Sequence, residues 1–237
     1  MAKLSAEEWQ AFAEAHAFVG NSLLKPMTQT APAGIDPAFW EAFPAFGDAE
    51  VADAAAACGR AAAAIAECAG SAKAAVERVA VEYTHLFVGP PSPAAPPWET
   101  FYRGGEAGSA TVGFGGATFE MRRLLREAGL ELRNENRQYE DHLGIELLYL
   151  SELCRRQAQE VGECGEGDAE PAASRAVEPA APAAPAVCAF IEQHPLAWID
   201  ALRTRVAQER PDGYFAPLLA LERELLMLQR NFLEGVR

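Results

Sequence analysis

An all-helical fold follows from three features of the sequence. Apolar residues recur at spacings of three and four along most of the chain, helix-start signals precede those stripes, and no segment shows a convincing strand pattern. The 237 residues, half of them hydrophobic, suffice for a sizeable buried core in one large domain or two small ones. With 20 basic and 34 acidic side chains the net charge is −14, which argues against nucleic acid or an anionic membrane as partner and favours a cationic partner or simple solubility. Five cysteines, an odd number without a C-x-x-C pair, suggest neither a disulfide framework nor a zinc knuckle and fit a reducing cytoplasm. The N-terminus, MAKLSAEEWQAF, carries acids where a signal peptide carries a basic and then an apolar region. The alanine-rich run from Ala49 to Ala69 is broken by Glu50, Asp53, Arg60 and Glu67, so no membrane span is expected.

The first helix starts at Ser5, whose hydroxyl caps while Glu8 closes a capping box; Trp9, Phe12, His16, Val19 and Leu23 mark its buried face. On that stripe His16 reads as a satisfied core residue. Asp36 as cap and Pro37 at the first helical position open a short helix carrying Phe39, Trp40 and Phe43. Asp48 caps the alanine-rich helix, in which Cys58 and Cys68 read as small buried hydrophobes. Ser71 caps the next helix, along which Val76, Val79, Tyr83 and Phe87 step toward Gly89. From Pro90 to Pro97 five of eight residues are proline, so the segment is extended and stiff, ending on Trp98 and Tyr102. The glycine-rich stretch from Gly104 to Gly116 lacks the phosphate-cradling pattern. Phe119, Met121, Leu124, Leu125 and Ala128 then form a helix closed by Gly129, with Arg122, Arg123 and Arg126 toward solvent.

The chain is organised around the stretch from Tyr139 to Leu153. Leu143, Leu147, Leu150 and Cys154 make one apolar stripe, and Glu140, Asp141 and His142 stand at its head, where the positive end of a helix dipole favours acids. After Arg156 the composition turns to Ala, Pro, Glu and Gly, which divides the chain into a main helical domain (1–161), a mobile linker (162–186) and a C-terminal helical region (187–237). In the last region Pro195 separates two helices, Arg210 to Gly213 form a turn, and Tyr214, Leu218, Leu221, Leu225, Leu228 and Phe232 make a stripe that is core or a dimer seam.

Tyr83, Leu86, Phe87, Gly89 and Pro90, followed by Ala95, Pro96, Pro97, Trp98 and Tyr102, then Asp141-His142 before an apolar helix, and His194 with Trp198, stand in one order from Tyr83 to Phe232. In these motifs the sequence resembles the TorD/DmsD/NarJ-like maturation chaperones of molybdenum-dependent reductases. It departs from the family in having Tyr139 and Ala197 where proline is usual, which bears on helix starts. The resemblance implies a TorD-like helical bundle with a hinge that in relatives permits domain-swapped dimers. It also implies a cytoplasmic chaperone whose partner is a molybdopterin-containing reductase catalytic subunit or its twin-arginine leader, in a variant role an uncleaved N-terminal helix.

Such a leader needs an acidic rim beside an apolar groove. The rim is expected at Glu140 and Asp141 and the groove at Tyr83, Phe87, Trp98, Tyr102 and Leu143, with Pro97 and Trp198 among the contacts and His142 and His194 donating to peptide carbonyls. His85, His142 and His194 are scattered without a ligand motif and no serine elbow occurs, so no catalytic residue, metal or cofactor is expected. The alternatives are a small hydrolase or nucleotide-binding enzyme using Asp141 and His142, and an oligomer built on the last helix.

Overall fold

A computed structural model describes residues 4–103, 114–132, 137–165 and 184–235. Its α-helices in chain order are α1 (Ala6–Leu24), α2 (Pro37–Glu41), α3 (Ala49–Ala69), α4 (Ala72–Tyr83), α5 (Glu99–Arg103), α6 (Gly116–Glu127), α7 (Leu143–Gly165), α8 (Ala184–Gln193), α9 (Pro195–Glu209) and α10 (Phe215–Glu234). Among the described residues no strand occurs, only an isolated antiparallel bridge between Trp98 and His142.

Local signals place most helix starts. The Glu8 amide donates to Ser5 Oγ at 3.1 Å while Glu8 Oε2 accepts from the Ser5 amide at 2.7 Å, a complete capping box. Asp36, Asp48 and Ser71 each accept an amide hydrogen of the following turn. Gly129, at φ 70°, ends α6 in the left-handed region and lets Leu130 donate back to the Leu125 carbonyl at 2.8 Å. The end of α4 departs from a plain α-helix. Thr84–Val88 widens into a π turn, with the Gly89 amide reaching the Thr84 carbonyl, and the Pro-rich run leaves from there.

The central pair is α1 against α7. They approach closely because glycines face each other: a Cβ on Gly144 would stand 2.7 Å from the Gly20 carbonyl oxygen. Trp9, Phe12, Val19 and Leu23 from α1 and Leu143, Leu147, Leu150 and Cys154 from α7 are buried in that seam and around it. On the other side of the core α10 packs on α3 and α9, and α8 rests on α10, α9 and α7. The stripe of α10 is therefore core: Leu218, Leu221 and Leu225 have no exposed surface. Each such side chain contributes roughly 1.5–3 kcal/mol on burial. The Glu82 carboxylate of α4 starts α10 from outside, accepting from the amides of Tyr214 at 2.9 Å and Phe215 at 3.1 Å.

Several expectations need correction. Cys68 is exposed, because the buried face of α3 runs through Val51, Ala55, Cys58, Ala62 and Ile65 and position 68 falls beside it. The helix expected from Tyr139 begins only at Leu143, so Glu140 and Asp141 precede its first turn. Helix α7 runs on to Gly165 and α8 begins at Ala184, so both ends of the expected linker are helical; the remainder of that segment, 166–183, lies outside the described residues. The regions before and after it share one hydrophobic core.

Candidate functional site

The proline run is not extended as expected but bends back, the amides of Ala94 and Ala95 donating to the carbonyls of His85 and Leu86 at 3.2 and 2.8 Å, and brings residues 97–100 antiparallel to residues 141–143. The Leu143 amide donates to the Pro97 carbonyl at 2.9 Å and the Glu99 amide to the Asp141 carbonyl at 2.9 Å. Asp141, fully buried, accepts with Oδ2 from the Thr100 amide at 2.9 Å and with Oδ1 from the Thr118 hydroxyl at 3.0 Å. Its carboxylate is thus a fastener between α5, α6 and the head of α7, and the rim position expected for it is not at the surface. Burial of a charge is tolerated here because hydrogen bonds replace its water.

His142 is equally buried. Its Nδ1 accepts from the Gly144 amide at 3.0 Å, and its carbonyl accepts from Ile145 and Glu146, so it caps α7. Burial pushes the imidazole down to about 3, leaving a neutral ring with its proton on Nε2. That nitrogen has no partner among the described residues. Asp141 and His142 use separate partners, and neither lies at a surface where substrate could meet a catalytic pair.

The remaining expected residues divide by depth. Tyr83, Phe87, Leu143 and Trp198 are core. Tyr83 donates to the Leu24 carbonyl at 2.9 Å, and Phe87 meets Phe215 edge-on with centroids 5.0 Å apart. Pro97 is buried under the antiparallel segment. Trp98 and Tyr102 are partly exposed; Tyr102 stacks on Trp198 at 5.4 Å, and Trp98 meets Tyr139 edge-on at 6.3 Å. The Glu140 carboxylate receives Arg122 through two nitrogens at 2.7 and 3.0 Å, an arrangement that lowers its pKa.

Two residues absent from the sequence reading join the network. Glu99, at the start of α5, accepts from Arg103, and His194 Nδ1 lies 2.9 Å from its Oε2. Glu146, on α7, accepts from the Trp198 indole at 3.2 Å. Burial, with the Glu99 charge beside it, pushes the Glu146 carboxyl well above the usual carboxylate range. The signal was available for Glu146, an acid three residues after Leu143 beside the apolar stripe of α7; nothing local marks Glu99.

Outside this lattice an exposed surface runs from Phe119, 53% exposed, under Arg122, whose guanidinium lies over its ring at 5.6 Å, to Glu140 and the neighbouring Tyr139, 38% exposed. Beside it lies a groove of about 350 Å³ lined by Leu125, Leu130, Leu132, Arg122 and Glu140 among others. The site is thus a helical bundle in which buried polar fasteners lie beneath a surface of aromatic, apolar and charged side chains. The family model of the nitrate reductase delta subunit matches residues 51–204, more than half of the chain and all of the buried lattice, and the chain belongs to that family. Its members are NarJ/TorD-type maturation chaperones of molybdoenzymes, acting with the catalytic subunits, and are not a catalytic family; this chain shares that general role. No curated protein matches the chain. Among the described residues no helix is long and apolar enough to cross a membrane.

Proposed function

We propose that this protein acts in the cytoplasm, binding the twin-arginine leader, or the equivalent N-terminal segment, of a molybdopterin-dependent reductase subunit and holding it until the cofactor is inserted. The observation that carries this reading is the joining of apolar groove and acid at one place. Glu140 stands on the edge of the groove formed by Leu125, Leu130 and Leu132, and through Tyr139 the same edge continues to Trp98. An apolar helix with arginines at one end matches such a surface, its arginines competing with Arg122 for Glu140 and the net charge of −14 drawing it in. The buried residues of the motif, Asp141, His142, Leu143 and Trp198, act here by holding that surface in place rather than by touching the leader.

The test is a titration of the full chain with a synthetic twin-arginine leader, with a client N-terminus lacking such a leader as a second ligand. Affinity should fall as salt rises while an apolar part persists. Trp98→Ala should weaken binding by about 2 kcal/mol with its fold checked by melting, and Glu140→Gln should flatten the salt dependence. Failure of both kinds of reductase segment to bind overturns the proposal. A Trp98→Ala protein that melts far lower yet binds as before removes Trp98 from the surface.

A further inference from the structure

Glu99, Glu146 and His194 come from three separated parts of the chain, α5, α7 and the residue heading α9, and meet beneath the cleft between α5, α6 and the α8–α9 junction. One donor atom from each lies within 4.8 Å of the others. All three residues are buried, at 1%, 0% and 6% exposure. Their other atoms are already held: Trp198 donates to Glu146 Oε2 at 3.2 Å, and Arg103 takes Glu99 Oε1. His194 Nδ1 and Glu99 Oε2 are bonded to each other at 2.9 Å. Glu146 Oε1 is buried, receives no N–H donor among the described residues and faces the Glu99 carboxyl, so two acids meet there with no cation between them.

We propose that Glu99, Glu146 and His194 form a binding site for one divalent first-row transition cation, of the zinc, iron(II) or manganese class. Two carboxylates and an imidazole supply the mixed hard and borderline donors that such ions take, and once the cation displaces the proton that burial favours on Glu146, two negative charges match the charge of the ion. Donor atoms bonded to one cation at about 2.0–2.2 Å stand roughly 3 Å apart, and His194 Nδ1 and Glu99 Oε2 are already 2.9 Å apart. The third donor closes on them by side-chain rotation within the 4.8 Å span. Trp198 and Arg103 are the outer partners that orient ligating carboxylates in metal sites. The cleft of about 460 Å³, lined by Glu99, Arg103, Glu120 and His194 among others, provides the way in. This site is separate from the groove at Glu140, so it stands or falls independently of leader binding.

The full chain, freed of metal with a chelator, is titrated with zinc by calorimetry and with cobalt(II) by absorption. One equivalent of zinc should bind and raise the melting temperature, and cobalt(II) should show ligand-field bands without thiolate charge transfer. Glu146→Gln, whose amide oxygen can still accept from Trp198, and His194→Gln should each weaken zinc by about 100-fold, while Cys188→Ser leaves affinity unchanged. The Cys188 control matters because Cys188, Glu192 and Glu234 also bring donors within 4.8 Å of one another. Should either ligand variant fail to fold, the cobalt spectrum and zinc stoichiometry of the unaltered chain decide. The site is refuted if no saturable zinc binds, if a thiolate band appears and binding is lost with Cys188→Ser, or if both ligand variants bind as tightly as the parent.

Discussion

The Asp141 carboxylate accepts the amide hydrogen of Thr100 at 2.9 Å across forty-one positions of sequence. That bond and its companion to the Thr118 hydroxyl tie the aromatic segment after the proline run to the head of the central helix. Asp141→Ala leaves the Thr100 amide and the Thr118 hydroxyl without this buried acceptor and should cost about 2–4 kcal/mol in urea unfolding. Asp141→Asn keeps one acceptor oxygen and should cost less. Neither should flatten the salt dependence of leader binding, since the charge lies beneath the surface.

Protonation of His142 gives a defined pH signature. Its folded pKa, about 3, lies below the unfolded value near 6.5. The unfolded chain therefore binds a proton first, and this residue's contribution to stability is lost as pH falls from about 6.5 toward 3, by up to ~1.4 kcal/mol per pH unit. The buried acids Glu82, Glu146 and Glu222, with pKa values raised by burial, act in the opposite sense. The difference between parent and His142→Asn isolates the histidine. The difference between the two unfolding free energies should be constant above about pH 6.5, in the parent's favour, and shrink as pH falls from there toward 3; curves that stay parallel across that window would show that His142 does not carry this dependence.

His16 joins α1 to α10 inside the core, its Nδ1 2.7 Å from Glu222 Oε1 and its Nε2 3.0 Å from Gln229 Oε1. Glu222→Leu alone leaves a buried imidazole nitrogen without its partner and should cost about 3–5 kcal/mol. The double variant His16→Leu, Glu222→Leu should lose less than the sum of the singles, with a coupling of about 1–3 kcal/mol in a double-mutant cycle. Additive losses would mean that the pair is not the unit of stability.

At the α1–α7 crossing there is no room for a methyl group. Gly144→Ala would bring Cβ to 2.6 Å from Leu24 Cγ and 2.7 Å from the Gly20 carbonyl, and should cost about 1–3 kcal/mol through overpacking. Thermal melting of the variant measures it, and an unchanged melting temperature would mean that the two helices can spread at no cost.

What the sequence determined by itself is the helical class, the caps at Ser5, Asp36, Asp48 and Ser71, the break at Pro195, the turn before α10, the core role of His16 and, through its motifs, the family. All of these rest on contacts a few residues apart or on a periodic stripe, which a linear reading contains. Tertiary structure alone decided that Asp141 is a buried fastener rather than a rim charge, that α7 begins after His142, that Cys68 faces water, and that Glu99, Glu146 and His194 meet. Each depends on which helix faces which across a core. The energy that selects those facings comes from burying apolar surface over the whole chain, while the polar residues are carried into place and take the partners they find.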